Sequence, residues 1–189
     1  MRFVAEEGGE VEPLAQAIGA ANTLGRLEDG RLYACNTDYA AALDATCAAM
    51  GIERHQLAGR RIGVIGAGGA GRAIVAGFAH HGASVTVYNR SADKAQDLVD
   101  RFSHNGATVR AASLDDLPGA EAEVWINCTP LGMHPDTDAS PIGDAPASQP
   151  AWGEGTVVFD TIYNPPLTKL LRQAEAAGCR TITGIEMFV

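Results

Sequence analysis

The feature that most constrains this chain is the spacing Gly66-Ala67-Gly68-Gly69-Ala70-Gly71, which directly follows the apolar run Ile62–Ile65 and opens a helical pattern over Ala70–His81. A strand that ends in a glycine turn and re-enters as a helix is the start of a βαβ unit. Gly66 suits the tight turn, Gly68 lets backbone approach a phosphate without a Cβ in the way, and Gly71 permits close contact between helix and strand. The unsatisfied N–H groups and the positive end of the helix then attract a pyrophosphate. Gly66, Ala67, Gly68, Gly69 and Ala70 are therefore candidate dinucleotide-binding residues. The competing reading is a purely structural turn; the strand before the glycines and the helix after them favour binding.

The pattern continues downstream. Ser84–Tyr88 predicts a β-branched strand, Ala92–Phe102 a helix with a polar face, and Thr108–Ala111 and Val124–Asn127 further strands, with Ser113–Leu117 a short turn or helix between them. Thr156–Asp160 predicts another strand, Leu167–Ala177 a helix and Arg180–Thr183 a last strand. Continuously apolar strands alternating with helices predict an α/β fold, a Rossmann-like doubly wound parallel sheet. Pro135–Pro150, rich in Pro, Asp, Ser and Ala, reads as a surface loop. Upstream, Thr23–Leu27 and Arg31–Cys35 flank Glu28-Asp29-Gly30, whose Asp-Gly step favours a hairpin. Thr37 is placed to cap a helix over Asp38–Met50 that Gly51 ends. This front piece is too small for a full domain. The expected division is residues 1–56, the remnant of an N-terminal substrate lobe with its linking helix, and residues 57–189, the dinucleotide-binding domain.

Charge and composition exclude several partners. A net charge of −9 opposes binding to nucleic acid or to an anionic membrane, both of which need a positive field. No apolar run approaches the roughly 20 residues that span a bilayer, and no signal-peptide pattern opens the chain. Cys35, Cys47, Cys128 and Cys179 are widely spaced without a C-x-x-C pair, which predicts reduced thiols and no metal site. The expectation is a soluble, cytoplasmic protein.

The end of the second strand discriminates between NAD and NADP. NAD-binding folds usually carry an Asp or Glu there to accept from the ribose hydroxyls; this chain has Asn89-Arg90-Ser91 and no carboxylate. The Arg90 guanidinium suits a charge-assisted contact with a 2′-phosphate, while Ser91 and Lys94 offer a hydroxyl and a second cation. The plainer reading of Arg90 and Lys94 is a solvated helix start. The missing acid favours NADP(H).

With these blocks in place, the chain resembles the shikimate dehydrogenases. Gly19-Ala20-Ala21-Asn22-Thr23, Asn36-Thr37-Asp38, the glycine loop, Asn89-Arg90-Ser91, Asn127-Cys128-Thr129-Pro130-Leu131-Gly132-Met133, Asp160-Thr161-Ile162-Tyr163-Asn164-Pro165 and Gly184-Ile185-Glu186-Met187-Phe188 occur in the family's order. Tyr39 and the Glu-Met-Phe ending look most like the dehydrogenase half of the bifunctional dehydroquinate dehydratase–shikimate dehydrogenases. The resemblance implies reversible, NADPH-dependent reduction of 3-dehydroshikimate to shikimate, a step in aromatic amino acid biosynthesis. It implies that Asn22 and Asp38 hydrogen-bond substrate hydroxyls, that Asp38 also pairs with a catalytic lysine, and that Tyr163 meets the substrate from the cofactor side. It places Thr129, Thr161 and Gly184 near the nicotinamide end. These roles suit the residues: a polyhydroxy carboxylate needs directional donors and acceptors, and hydride transfer to a ketone needs a proton for the developing alkoxide. Taken singly, Asn22 also reads as a turn residue and Asp38 as an early-helix charge.

Parts of the family pattern lack a counterpart. The catalytic lysine normally sits in a Pro-x-Lys motif shortly before the first block, yet no Pro-x-Lys precedes Asn22 and the only lysines are Lys94 and Lys169. The Ser-x-Ser motif that grips the substrate carboxylate, and the Gln that follows Glu-Met-Phe, are also missing. The expectation is a fragment that supplies the cofactor lobe, binds NADP(H) and is inactive alone. Two other readings remain: a quinate/shikimate dehydrogenase using NAD, which an acid at Asn89 would favour, and a non-catalytic dinucleotide-binding module, which has no use for Asn22, Asp38 and Tyr163 together.

Overall fold

A computed structural model describes residues 2–103 and 108–188. The front segment comprises α1 (Arg2–Glu6), β1 (Glu10–Val11), α2 (Pro13–Ile18), β2 (Thr23–Arg26), β3 (Leu32–Cys35) and α3 (Thr37–Met50). The hairpin expected at Asp29-Gly30 forms. β2 and β3 pair antiparallel from Thr23↔Cys35 to Arg26↔Leu32, Gly30 takes φ +89°, and Asp29 Oδ1 accepts from the Arg31 amide at 3.0 Å. α1, β1 and α2 have no counterpart in the sequence pattern; each is short, and β1 exists through its parallel pairing with β3.

The cap of α3 differs from expectation by one residue. Asn36, not Thr37, caps it: Asn36 Oδ1 accepts from the Asp38 amide at 3.0 Å. Thr37 is already helical, and its own amide donates to Asn22 Oδ1 at 2.9 Å. Asn36 is buried, with Nδ2 donating to the Ala20 carbonyl at 3.3 Å, so one side chain fixes both the helix start and the preceding turn.

The rest of the chain comprises β4 (Arg61–Ile65), α4 (Gly69–His80), β5 (Ser84–Tyr88), α5 (Ala92–Phe102), β6 (Thr108–Ala112), β7 (Val124–Asn127), β8 (Val157–Asp160), α6 (Lys169–Ala176) and β9 (Arg180–Ile182). These strands form one six-stranded sheet in the order β6-β5-β4-β7-β8-β9, parallel throughout. The expected doubly wound, Rossmann-like sheet is therefore present, and its strand order reverses between β4 and β7.

Both faces are covered, which explains why the strands read as continuous apolar runs. Ile62, Val64, Val85, Val87 and Ile126 cluster with side chains of α3, α4 and α5. Ile65, Trp125 and Val158 cluster on the other face with Leu170 and Leu171 of α6. Gly63 is what admits the indole: a Cβ there would lie 2.5 Å from the Trp125 ring. The loop expected over Pro135–Pro150 is about half exposed, and Ile142 turns inward and is buried in the second cluster, an anchor contributing about 2 kcal/mol.

Candidate functional site

The parallel register aligns the strand ends. Tyr88 lies beside Ile65, Ile65 beside Asn127 and Asn127 beside Asp160. The residues that follow, Asn89, Gly66, Cys128 and Thr161, therefore share the carboxyl edge of the sheet on either side of the point where strand order reverses. Ligands of open α/β sheets bind there.

The glycine loop is tightly built on one side and open on the other. Gly66 has φ +106°, and a Cβ on it would lie 2.9 Å from Thr129 Cγ2. A Cβ on Gly71 would fall 2.2 Å from the Gly66 carbonyl oxygen, so this glycine is what lets α4 approach the loop. Gly68 and Gly69, in contrast, face space with no atom within 4 Å. Asn89 braces the loop: its Oδ1 accepts from the Ala67 amide at 3.2 Å and its Nδ2 donates to the Ser91 carbonyl at 2.8 Å. A groove of about 370 Å³ runs beside the loop, bordered by Gly68, Gly69, Arg72 and Lys94. Arg90 and Lys94 are exposed, and among the described residues neither has a hydrogen-bond or ion-pair partner. Asp97, also on the groove, already pairs with Arg101 at 2.9 Å.

A second cleft, of about 390 Å³, opens at the ends of β7 and β8, lined by Thr129, Met133, Thr161, Ile162 and Tyr163. A polar cluster supports its walls. Asn127 Oδ1 accepts from the Thr129 amide at 2.9 Å and hydroxyl at 2.7 Å. Asn127 Nδ2 donates to Asp160 Oδ1 at 3.0 Å, which also accepts from the Ile162 amide at 3.1 Å. Asp160 Oδ2 accepts from the Thr168 hydroxyl at 2.7 Å, and Thr168 caps α6. Burial pushes the Asp160 carboxyl above the usual range, against the hydrogen bonds it receives from Thr168, Ile162 and Asn127. Burial likewise raises the Cys128 thiol far above its ordinary value.

On the front segment, Asn22 Nδ2 donates to Asp38 Oδ1 at 2.7 Å, while Asn22 Oδ1 holds the start of α3 through Thr37. Next to this pair the Tyr39 hydroxyl donates to Glu12; burial first, and then Glu12, push its pKa up to about 12. Among the described residues no cation pairs with Asp38, no group of three or more His, Cys, Asp or Glu side chains could hold a metal, and no helix is long and apolar enough to cross a membrane.

Known proteins resemble this chain in sequence and fold. Residues 48–133 match the family model described as shikimate / quinate 5-dehydrogenase. The shikimate dehydrogenase (NADP(+)) of Shouchella clausii is 39% identical over 95% of this chain and 62% of its own length. The bifunctional 3-dehydroquinate dehydratase/shikimate dehydrogenase of Arabidopsis thaliana is 36% identical over 95% of this chain and 30% of its own length. Among solved structures, the shikimate 5-dehydrogenase of Thermus thermophilus, in complex with NADP(H) and shikimate, is 37% identical with a TM-score of 0.76, covering 95% of this chain and 61% of that one. Over 95% of its length the chain is similar to the shikimate dehydrogenases. It spans about three fifths of the length of the single-function relatives it matches.

Within this shikimate dehydrogenase fold, the expected site residues fall into three groups. The glycine loop, Asn89, Arg90, Ser91 and Lys94 form one; Thr129, Thr161 and Tyr163 a second; Asn22 and Asp38 a third. Thr129 and Thr161 spend their hydroxyl protons inside the protein, on Asn127 Oδ1 and on the Asn127 carbonyl at 2.9 Å, so toward a ligand they can act as acceptors. Gly184 starts the turn after β9, and a Cβ there would lie 2.5 Å from the Ile162 carbonyl; its smallness joins β9 to the loop after β8. Sequence reading assigned no role to Asn127, Asp160 or Thr168. The available signal was a polar residue closing each of two apolar strands, Asn127 on β7 and Asp160 on β8.

Proposed function

We propose that this chain binds NADP(H) along the carboxyl edge of its parallel sheet and is the cofactor-holding part of an enzyme that reduces 3-dehydroshikimate to shikimate. Residues 57–189 act as the binding domain and residues 1–56 as part of the substrate lobe. Gly66, Ala67, Gly68, Gly69 and Ala70 seat the pyrophosphate, with Asn89 holding the loop in shape. Arg90, helped by Ser91 and Lys94, takes the 2′-phosphate. Thr129, Thr161 and Gly184 frame the nicotinamide, and Tyr163, Asn22 and Asp38 hydrogen-bond the substrate.

Gly68 is the observation that carries this reading. Its backbone (φ −79°, ψ −165°) is open to any residue, and a Cβ on it would touch nothing. Neither a left-handed backbone nor packing requires glycine there, whereas a phosphate lying against the backbone does. NADPH, once bound, supplies the hydride; the protein's part is to orient it and to deliver a proton to the developing alkoxide. The chain's two lysines are on α5 and at the start of α6, the latter paired with Asp144 at 2.7 Å, so neither suits the proton-donor role beside Asp38. On this reading the chain alone binds cofactor and turns over poorly. Four cysteines that are all unpaired suit a reducing, cytoplasmic setting.

Calorimetric titration with NADPH and with NADH tests the assignment. NADPH should bind at least about tenfold more tightly, a difference of about 1.4 kcal/mol. Tighter binding of NADH would overturn the role given to Arg90, and ordinary turnover by this chain would overturn its need for a missing proton donor.

A further inference from the structure

We infer that Asp160 is a positioning residue for the nicotinamide end of the cofactor, holding in register the two loops that form that cleft. The inference rests on the NADP(H) reading above. Asp160 is fully buried at the end of β8, and among the described residues it faces no cation. A lone buried carboxylate is expensive, and its usual compensation is a full set of hydrogen bonds. Here every one of those bonds goes to a segment bordering the cleft.

Oδ1 receives the Ile162 amide at 3.1 Å, which bends the chain directly after Thr161. The same oxygen receives Asn127 Nδ2 at 3.0 Å, and this orients Asn127 so that its own oxygen holds the Thr129 amide and hydroxyl. Oδ2 receives the Thr168 hydroxyl at 2.7 Å, and Thr168 in turn caps α6 through the Leu171 amide at 3.3 Å. One carboxylate thus fixes the loop after β7 through Asn127 and both ends of the segment from Thr161 to Thr168. Thr129, Thr161 and Tyr163 reach the cleft from these segments. An apolar residue of similar size would fill the space but leave three donors without this acceptor: the Ile162 amide, the Thr168 hydroxyl and one Asn127 Nδ2 proton.

The prediction separates this role from a general effect on folding. Binding of NADPH is compared with binding of 2′-phospho-ADP-ribose, which keeps the phosphates and adenosine but lacks nicotinamide. In Asp160→Ala the affinity for NADPH should fall about tenfold, while 2′-phospho-ADP-ribose binds as to the parent chain. Asp160→Asn keeps the Oδ1 acceptor and should restore NADPH binding to within about threefold. Should Asp160→Ala fail to give a cooperative melt, Thr168→Val replaces it; this variant releases one end of the loop and should still lower the NADPH affinity relative to 2′-phospho-ADP-ribose. Equal loss of both ligands, or unchanged NADPH binding in a folded variant, overturns the positioning role. Failure of the parent chain to bind 2′-phospho-ADP-ribose would instead overturn the cofactor reading itself.

Discussion

Replacing Gly68 by Ala separates what the protein needs from what the ligand needs. The added methyl meets no atom within 4 Å and the backbone there is extended. Lower chain entropy in the unfolded state favours alanine by about 0.4–1 kcal/mol, and putting alanine in place of glycine at the helix cap costs about 0.5–1 kcal/mol. Net stability should change by less than about 0.5 kcal/mol, a shift of no more than ~2 °C in a domain of this size. Binding should respond quite differently. A pyrophosphate oxygen accepting from loop amides needs to come within about 2.9 Å of nitrogen, and a methyl on Gly68 holds it off. Weakening one or two charge-assisted hydrogen bonds costs about 1.5–3 kcal/mol, or roughly tenfold to a hundredfold in Kd. Gly71→Ala is the contrasting variant. Its Cβ would lie 2.2 Å from the Gly66 carbonyl oxygen, an overlap against backbone costing about 1–3 kcal/mol, more than the helical preference for alanine of at most about 1 kcal/mol returns. That variant should lose melting temperature and cofactor affinity together. Thermal unfolding and NADPH calorimetry on both variants decide the matter. An unchanged Kd in Gly68→Ala would refute the seating of pyrophosphate on this loop, and an unchanged melt in Gly71→Ala would refute the close contact.

Three further outcomes follow from the same geometry. Arg90→Ala should weaken NADPH about tenfold and leave NADH unaffected, since an exposed guanidinium contributes about 1–2 kcal/mol to a phosphate contact; equal loss of both cofactors would argue against the 2′-phosphate assignment. In the chain extended with the missing family motifs, Asp38→Asn should lower kcat by more than tenfold while NADPH binding changes little, and steady-state kinetics alongside titration would reveal the opposite pattern if Asp38 served only α3. Glu123 is opposed by partial burial, but the Arg61 amide and the Arg60 guanidinium at 2.6 Å more than offset this and lower its pKa. A lowered carboxyl pKa gives stability that is present above the usual Glu range and lost as pH falls through the folded value. Glu123→Gln should therefore melt earlier than the parent at pH 7, with the gap closing toward pH 3; a gap independent of pH would show that the charge is not what matters.

How much was legible depends on the range of the interaction. The second strand and its helix, Ser84–Tyr88 and Ala92–Phe102, have the bounds their local pattern predicts, because β-branched alternation and helical periodicity need no distant partner. Asn36 and Thr37 show where that ends: both residue types cap helices, and the choice between them fell to Asn22, which lies 15 residues before Thr37 and takes its amide. β1 was invisible because a two-residue strand has no periodicity to read, and the six residues of α2 make fewer than two helical turns. Within the site, the glycine loop and Arg90 were readable from adjacent residues, whereas Asn127 and Asp160, 33 positions apart, gave only two polar strand ends.

By itself, the sequence determined the glycine loop, the helix and strands around it and the absence of an acid at Asn89, since all of these are properties of short, contiguous spans. Tertiary structure decided what those spans enclose. Parallel register brought Ile65, Asn127 and Asp160 into one row, and close packing at Gly66, Gly71 and Gly184 set how near the loops stand. Register and packing come from burying both faces of the sheet at once, a constraint no local span contains. That is why Gly68 could be read as a binding residue from its motif, while the open space beside it, which leaves room for a ligand, appears only in the folded chain.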